Sequence, residues 1–247
     1  DVERSRGLGD VYKRQAQHNA EYWPRTMTTL STHDTKRSED VRAALLAIAG
    51  DDEAWTACSD AAFALADAMG VDRPAAALAW QTIAGFSTAY GPFDTTDADG
   101  AAPDAAHGRR DLGIDADRLS EYLTKALREA KVYTAWTDGD EAYEKQVLAF
   151  ATAVLEADDA AAPRTGESAA SAPAAETLAA DLRRSLLDAR RRNAEAITLT
   201  GHTQKVLELF LPGIPDTYEG SERPTLSLVD PDNLSLIHIS EPTRPLY

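Results

Sequence analysis

The chain has 247 residues, 43% of them hydrophobic, and a formal net charge of −16 at pH 7. That length is enough for one large core or two small ones. The negative balance argues against a nucleic-acid partner, whose phosphates would be repelled.

In chain order, TMTTL (Thr26–Leu30) reads as a short β-branched strand. A charged patch follows, and then Val41, Ala44, Leu45, Ile48 and Ala49 recur at helical spacing up to a stop at Gly50. Ser38 suits the N-cap of that helix, with Glu39 and Asp40 placed favourably against its dipole. A second helix is expected from about Ala54 to Met69, ending at Gly70. It contains Cys58, the single cysteine, which excludes an intrachain disulfide and a cysteine-based zinc cluster. In this Ala-rich setting Cys58 reads as buried filler, and its isolation fits a reducing compartment. A third helix opens with Pro74 and carries Leu78, Ile83 and Phe86.

Residues 91–117 are rich in Gly, Pro and Asp and read as a loop. Leu119, Tyr122, Leu123, Ala126, Leu127 and Ala130 then make an amphipathic helix, and Tyr143, Val147, Phe150 and Val154 share a face of the next. Residues 157–175 are of low complexity and are expected to be mobile. A helix from about Glu176 to Asn193 follows, then AITLT, then a helix containing KVLELF. LPGIPDTYEGSE, punctuated by Pro and Gly, has room for a short strand at its centre. Two strand-like pieces far apart, with helices between them, suggest part of an α/β sheet interrupted by a helical insertion. No apolar run approaches the roughly 20 residues of a membrane span, and no charged-then-apolar signal opens the chain. A soluble cytoplasmic protein is the expectation.

The two ends read differently. DVYKRQ (Asp10–Gln15) can be encoded by GAT GTG TAT AAG AGA CAG, the reverse complement of a coding for LSLIHI (Leu234–Ile239). Segments readable from opposite strands of one DNA word resemble translated transposase adapter. Residues 1–15 and 234–247 are therefore expected to be non-native flanks, which sets aside His238 and Arg244.

The chemistry centres on THDTKRSED, where a strand stops at His33 and Asp34. Adjacent residues on an extended chain face opposite ways, so both can serve one site only where the strand is ending. In a parallel barrel, the C-terminal ends of strands carry the chemistry. A carboxylate there can hold two sugar hydroxyls and an imidazole can donate to a third, tightening as the ring flattens toward an oxocarbenium ion. The plainer alternative has Asp34 capping a helix and His33 as a satisfied polar residue. A metal site of the phosphohydrolase kind would need further ligands, and His18, His107 and His202 do not supply that spacing.

TMTTLSTHDTKRSEDVRA resembles the HD motif region of the malto-oligosyltrehalose synthases, within the α-amylase family. Three further segments resemble the same family in the same order: YLTKALREAKVYTAWTDGDEAYE (Tyr122–Glu144), LPGIPDTYEGSE (Leu211–Glu222) and LSLVDPDN (Leu226–Asn233). LAWQTIAG (Leu78–Gly85) is a weaker match. The resemblance implies an α/β fold: the C-terminal part of a (β/α)8 barrel with a long, mainly helical insertion, the fragment itself being mostly helix. Residues 16–50 would hold the strand-7 region, 51–193 the insertion with its linker at 157–175, and 194–233 the strand-8 region.

The activity so implied moves the reducing-end α-1,4 linkage of a maltodextrin to an α,α-1,1 linkage, without metal or cofactor. By the same resemblance, Asp34 would stabilise the transition state and His33 would contact the sugar at the cleavage subsite. Lys36 and Arg37 would hold the turning glucose, with pairing to Glu39 and Asp40 as the alternative. Tyr218 and Glu222 would lie at the rim of the last strand, Glu222 with an equally structural alternative. Trp136 offers a stacking face or a core position. The family's nucleophile and acid/base segments have no match here, so the chain alone is expected to be inactive, with an open barrel edge and exposed apolar surface. A plain α-amylase-family hydrolase and a non-catalytic helical interaction module are the other readings.

Overall fold

The computed structural model describes residues 13–32, 34–86, 112–158, 174–217 and 226–228. A helical stretch over 13–22 leads into strand β1 (Met27–Thr28). Helices α1 (Glu39–Ala49), α2 (Asp52–Met69) and α3 (Arg73–Gly85) follow. Next come α4 (Ala116–Ala130), α5 (Glu141–Glu156), α6 (Ala175–Arg192) and α7 (Ala194–Phe210), and strand β2 is Ile214–Pro215.

The strands pair in parallel, Met27 with Ile214 and Thr28 with Pro215. The Ile214 amide donates to the Thr26 carbonyl at 2.8 Å and the Asp216 amide to that of Thr28 at 2.7 Å. Gly213 makes the approach possible. Its φ is +149°, and a Cβ there would sit 2.9 Å from both the Thr26 carbonyl and Thr28 Cγ2.

Aspartate side chains start four of the helices. Asp51, Asp72, Asp115 and Asp140 accept from backbone amides inside α2, α3, α4 and α5. Caps also tie helices together. Tyr143 Oη donates to Asp72 at 2.8 Å, and Gln146 Nε2 donates to the last carbonyls of α2, at Met69 and Gly70. Gly70 ends α2 in the left-handed conformation, φ +69°.

The core is rich in alanine, so the helices approach closely around a few large side chains. Trp80, Phe86, Phe150, Leu65, Leu123 and Leu186 are fully buried, and Trp55 meets Trp80 edge-on with ring centroids 4.8 Å apart. Cys58 is buried among them, and burial pushes its thiol up to about 12, which leaves it unreactive.

AITLT departs from its separate place in the sequence reading: it lies inside α7. Thr198 Oγ1 donates to the Ala194 carbonyl one turn back at 3.1 Å, and Ile197 is buried in the helical core. The β-branched run is thus absorbed by packing. The first strand is also shorter than TMTTL, because pairing stops at Thr28. Most of the expected mobile linker at 157–175 and most of the 91–117 loop lie outside the described residues, and Ala175, expected in the linker, opens α6. Among the described residues no helix is long and apolar enough to cross a membrane. Met27, Phe210, Leu211 and Ile214 are exposed around the strand pair, Phe210 to 84%.

Gly85 sets the α1–α3 spacing, since a Cβ there would meet Val41 Cγ1 at 2.7 Å and the Val41 carbonyl at 2.9 Å. Gly85→Ala should therefore destabilise the chain by about 1–3 kcal/mol in urea unfolding followed by circular dichroism. Gly139→Ala, where the nearest atom is 3.7 Å away, should change stability by no more than about 0.5 kcal/mol.

Candidate functional site

The segment between β1 and α1 is the best-supported site, because its structure is dictated from outside. Thr32, Asp34 and Thr35 are drawn together by threonine hydrogen bonds. The Thr32 amide donates to Thr35 Oγ1 at 2.8 Å, the Thr35 amide to the Thr32 carbonyl at 3.1 Å, and the Asp34 amide to Thr32 Oγ1 at 3.2 Å. Asp34 is solvent-exposed on this turn. It does not cap α1, which begins at Glu39. The Glu39 amide is taken instead by the Ser31 hydroxyl at 2.9 Å. His33 lies outside the described residues.

Both ends of the turn are fastened to α7. The Leu30 amide donates to Glu208 Oε1 at 3.1 Å, and the Lys205 ammonium bridges Glu208 at 2.7 Å and Glu39 at 2.9 Å. Glu208 is buried, and the Lys205 ammonium answers its charge. Desolvation pulls the lysine's pKa down most strongly, but hydrogen bonds and charge from Glu208 and Glu39 together outweigh it and leave the pKa raised.

Lys36 and Arg37 reach elements far away in sequence. Lys36 Nζ meets Glu129 Oε2, on the last turn of α4, at 2.5 Å, and Lys125 lies 3.6 Å from the other oxygen. Hydrogen bonding from Lys36 is the main reason the Glu129 carboxyl is held below its ordinary range. Arg37 turns into α3, donating to Thr82 Oγ1 at 2.9 Å and the Leu78 carbonyl at 3.4 Å. The alternative expected for this pair, ion pairing with Glu39 and Asp40, gives way to these longer-range partners because the turn aims both side chains at the helical layer. The Arg37 guanidinium is half-buried and tethered to α3.

Ser38, expected as a side-chain N-cap, occupies the cap position but makes no such bond. Its hydroxyl accepts from the Ser227 amide at 3.2 Å, while its own amide donates to the Ser227 carbonyl at 3.0 Å. An antiparallel bridge between Arg37 and Leu228 extends that contact. Tyr218 and Glu222 lie outside the described residues. Among the described residues no cluster of His, Cys, Asp and Glu has the arrangement of a metal site.

Trp136, weighed between core and surface, is 60% exposed. The core position is overturned because Arg128 lies over its ring, 5.0 Å from the centroid, and occupies the space behind it. Arg128 is itself gripped in a fork by Glu144, at 2.8 and 2.7 Å. Buried Glu144 also accepts from Thr134 Oγ1 at 2.6 Å, and Thr134 Oγ1 accepts from the Asp140 amide at 3.0 Å. None of these partners could be named from sequence. The signal lay in the repeated charge of LREAK and TDGDEAYE, which shows that partners exist without saying which.

The Arg128 hydrogen bonds hold the Glu144 carboxyl below its ordinary 4.5. A carboxyl depressed on folding contributes stability that is fully present above 4.5 and lost as pH falls through the folded value. In urea unfolding, Glu144→Gln should be less stable than the parent chain by about 1–3 kcal/mol at pH 7. That gap should narrow on acidification below pH 4.5; a gap independent of pH would contradict the assignment.

No family model matches the chain. It is 33% identical over 228 residues to a protein named as a maltooligosyl trehalose synthase in Mycobacterium tuberculosis strain CDC 1551 / Oshkosh, covering 92% of this chain and 24% of the relative. The protein of that name in strain ATCC 25618 / H37Rv matches to the same extent. Among solved structures, the maltooligosyltrehalose synthase from Arthrobacter ramosus superimposes with a TM-score of 0.61 at 30% identity, over 91% of this chain and 23% of that one. The DSM5389 glycosyltrehalose synthase gives 0.56 at 26%, over 85% and 22%. The chain thus spans about a quarter of the length of the curated relatives it matches. With sequence and structure agreeing over nine-tenths of its residues, the chain belongs to the maltooligosyl trehalose synthase family, as a stretch equal to about a quarter of its relatives' length.

Proposed function

We propose that this chain is the part of a maltooligosyl trehalose synthase that builds one wall of the active site around Asp34. The longer protein would convert the reducing-end α-1,4 linkage of a maltodextrin into an α,α-1,1 linkage by intramolecular glycosyl transfer. That places it in trehalose formation as an isomerase, acting in the cytoplasm on malto-oligosaccharides without metal or cofactor. One observation carries the proposal. Four segments that resemble the family, from separate places in the sequence, converge on the fifth, which holds β1 and the 30–39 turn. They supply Thr82 and Leu78 from LAWQTIAG, Glu129 from LREAK, Ser227 and Leu228 from LSLVD, and β2 from LPGIPD against β1.

The parallel pair β1–β2, reached after a long helical excursion, supports two neighbouring strands of a (β/α)8 barrel. The exposed Met27, Phe210 and Ile214 then become surface that further barrel elements would cover. Residues 16–50 and 194–233 would form the barrel portion, and 51–193 the insertion. At the C-terminal end of β1, the Asp34 carboxylate can accept from two hydroxyls of the sugar ring. Those bonds shorten as positive charge builds on the anomeric carbon, so they favour the transition state over the ground state. His33 would donate to a further hydroxyl of that sugar. Lys36 has three ammonium hydrogens, and with one given to Glu129 two are left for the glucose that must turn over without escaping. Tyr218 and Glu222 would line the rim beyond β2. The nucleophile and acid/base carboxylates would come from segments to which this chain has no match, so the chain by itself would leave maltodextrins unchanged.

The longer protein carrying this segment, incubated with maltopentaose, should remove reducing ends while releasing little free glucose. Asp34→Asn should lower that rate on the order of 10²–10³-fold, the range for losing one transition-state contact. The isolated chain should leave the reducing ends intact. Net release of glucose and shorter maltodextrins by the longer protein would instead identify a hydrolase.

A further inference from the structure

We propose that Trp136 is a stacking platform for a glucosyl unit of an α-1,4-glucan, displayed by the loop between α4 and α5. This rests on the function proposed above for the choice of sugar, but its geometry stands independently. The Trp136 indole is 60% exposed and has a charged side chain packed against its ring. Arg128 backs one face at 5.0 Å, leaving the other toward solvent. Arg128 cannot swing away because Glu144 holds both ends of its fork, and Glu144 is fixed in turn by Thr134. The guanidinium behind the indole is thus fixed, and a tryptophan, with only two side-chain torsions, has little rotamer freedom to lose on binding.

The surroundings fit a sugar. The 131–140 loop that carries Trp136 also borders an open hollow of about 500 Å³, lined by Tyr133, Asp138, Gly139, Asp140 and Glu141. Its surface is mostly polar, with carboxylates able to accept from hydroxyls. A pyranose presents an apolar C–H face and a rim of hydroxyls, so an aromatic plane beside carboxylates matches both. The location fits as well. Arg128, behind the indole, is adjacent in sequence to Glu129, which holds Lys36 of the Asp34 turn. The end of α4 thus both supports the indole and anchors the Asp34 turn.

Affinity electrophoresis tests this without needing catalysis. This chain and the longer protein carrying it would each be run in native gels containing maltodextrin, with dextran as the α-1,6-linked control. Maltodextrin should retard both proteins and dextran neither. Trp136→Ala should weaken the retardation at least fivefold, while Trp136→Phe, which keeps an aromatic face, should stay within about threefold of the parent. Circular dichroism of Trp136→Ala should match the parent, since the side chain is exposed. Equal retardation of Trp136→Ala and parent, or none of the longer protein, overturns the platform. The loss of reducing ends from maltopentaose still decides the proposed activity in either case.

Discussion

Lys205 and Glu208 on α7 frame the Asp34 turn. Glu208 takes the Leu30 amide where the chain leaves β1, and Lys205 reaches Glu39 where α1 begins. The two ends of the turn are thereby held at a fixed separation by one helix that comes much later in the sequence. A partly buried ion cluster of this kind adds little net stability, because desolvation offsets most of the attraction. Its value is positional: with the ends fixed, the threonine bonds between them hold Asp34 at an exposed position.

The same division of labour runs through the helical layer. Alanine-rich faces let α1, α2, α3 and α6 pack closely, and few large side chains are needed to fill what remains. Polar side chains then set registry. Asp51 caps α2 while also accepting from Asn193 at the α6–α7 junction, and Arg190 donates to the Phe86 carbonyl where α3 ends. Stability resides in the apolar contacts. The charged groups decide which helix end meets which, and so where Lys36 and Arg37 find their partners.

Helical periodicity and stop signals place α1 to α6 to within a few residues, since each has its own apolar face and four have an aspartate cap. AITLT went astray because its β-branched residues are locally ambiguous, and only burial of Ile197 decides for helix. Ser38 was a sound cap by local rules, yet Ser227 claims its hydroxyl from 189 positions away. The pairing of Lys36 with Glu129, 93 positions apart, is equally invisible to any local pattern. The site residues were visible as chemistry and as family likeness. Their partners were not, because those contacts exist only after the helices have packed.

The parallel pairing of Met27 with Ile214 joins residues 187 positions apart. Closing so long a loop directly from an unfolded chain would cost on the order of 4–5 kcal/mol in chain entropy, for two short strands that return little. The helices must therefore assemble first and bring β2 to β1, which makes strand pairing a late event and the whole a slow-folding topology. During synthesis β1 leaves the ribosome long before its partner exists. The Asp34 turn, which depends on α7 for both its ends, takes shape only at the close of folding.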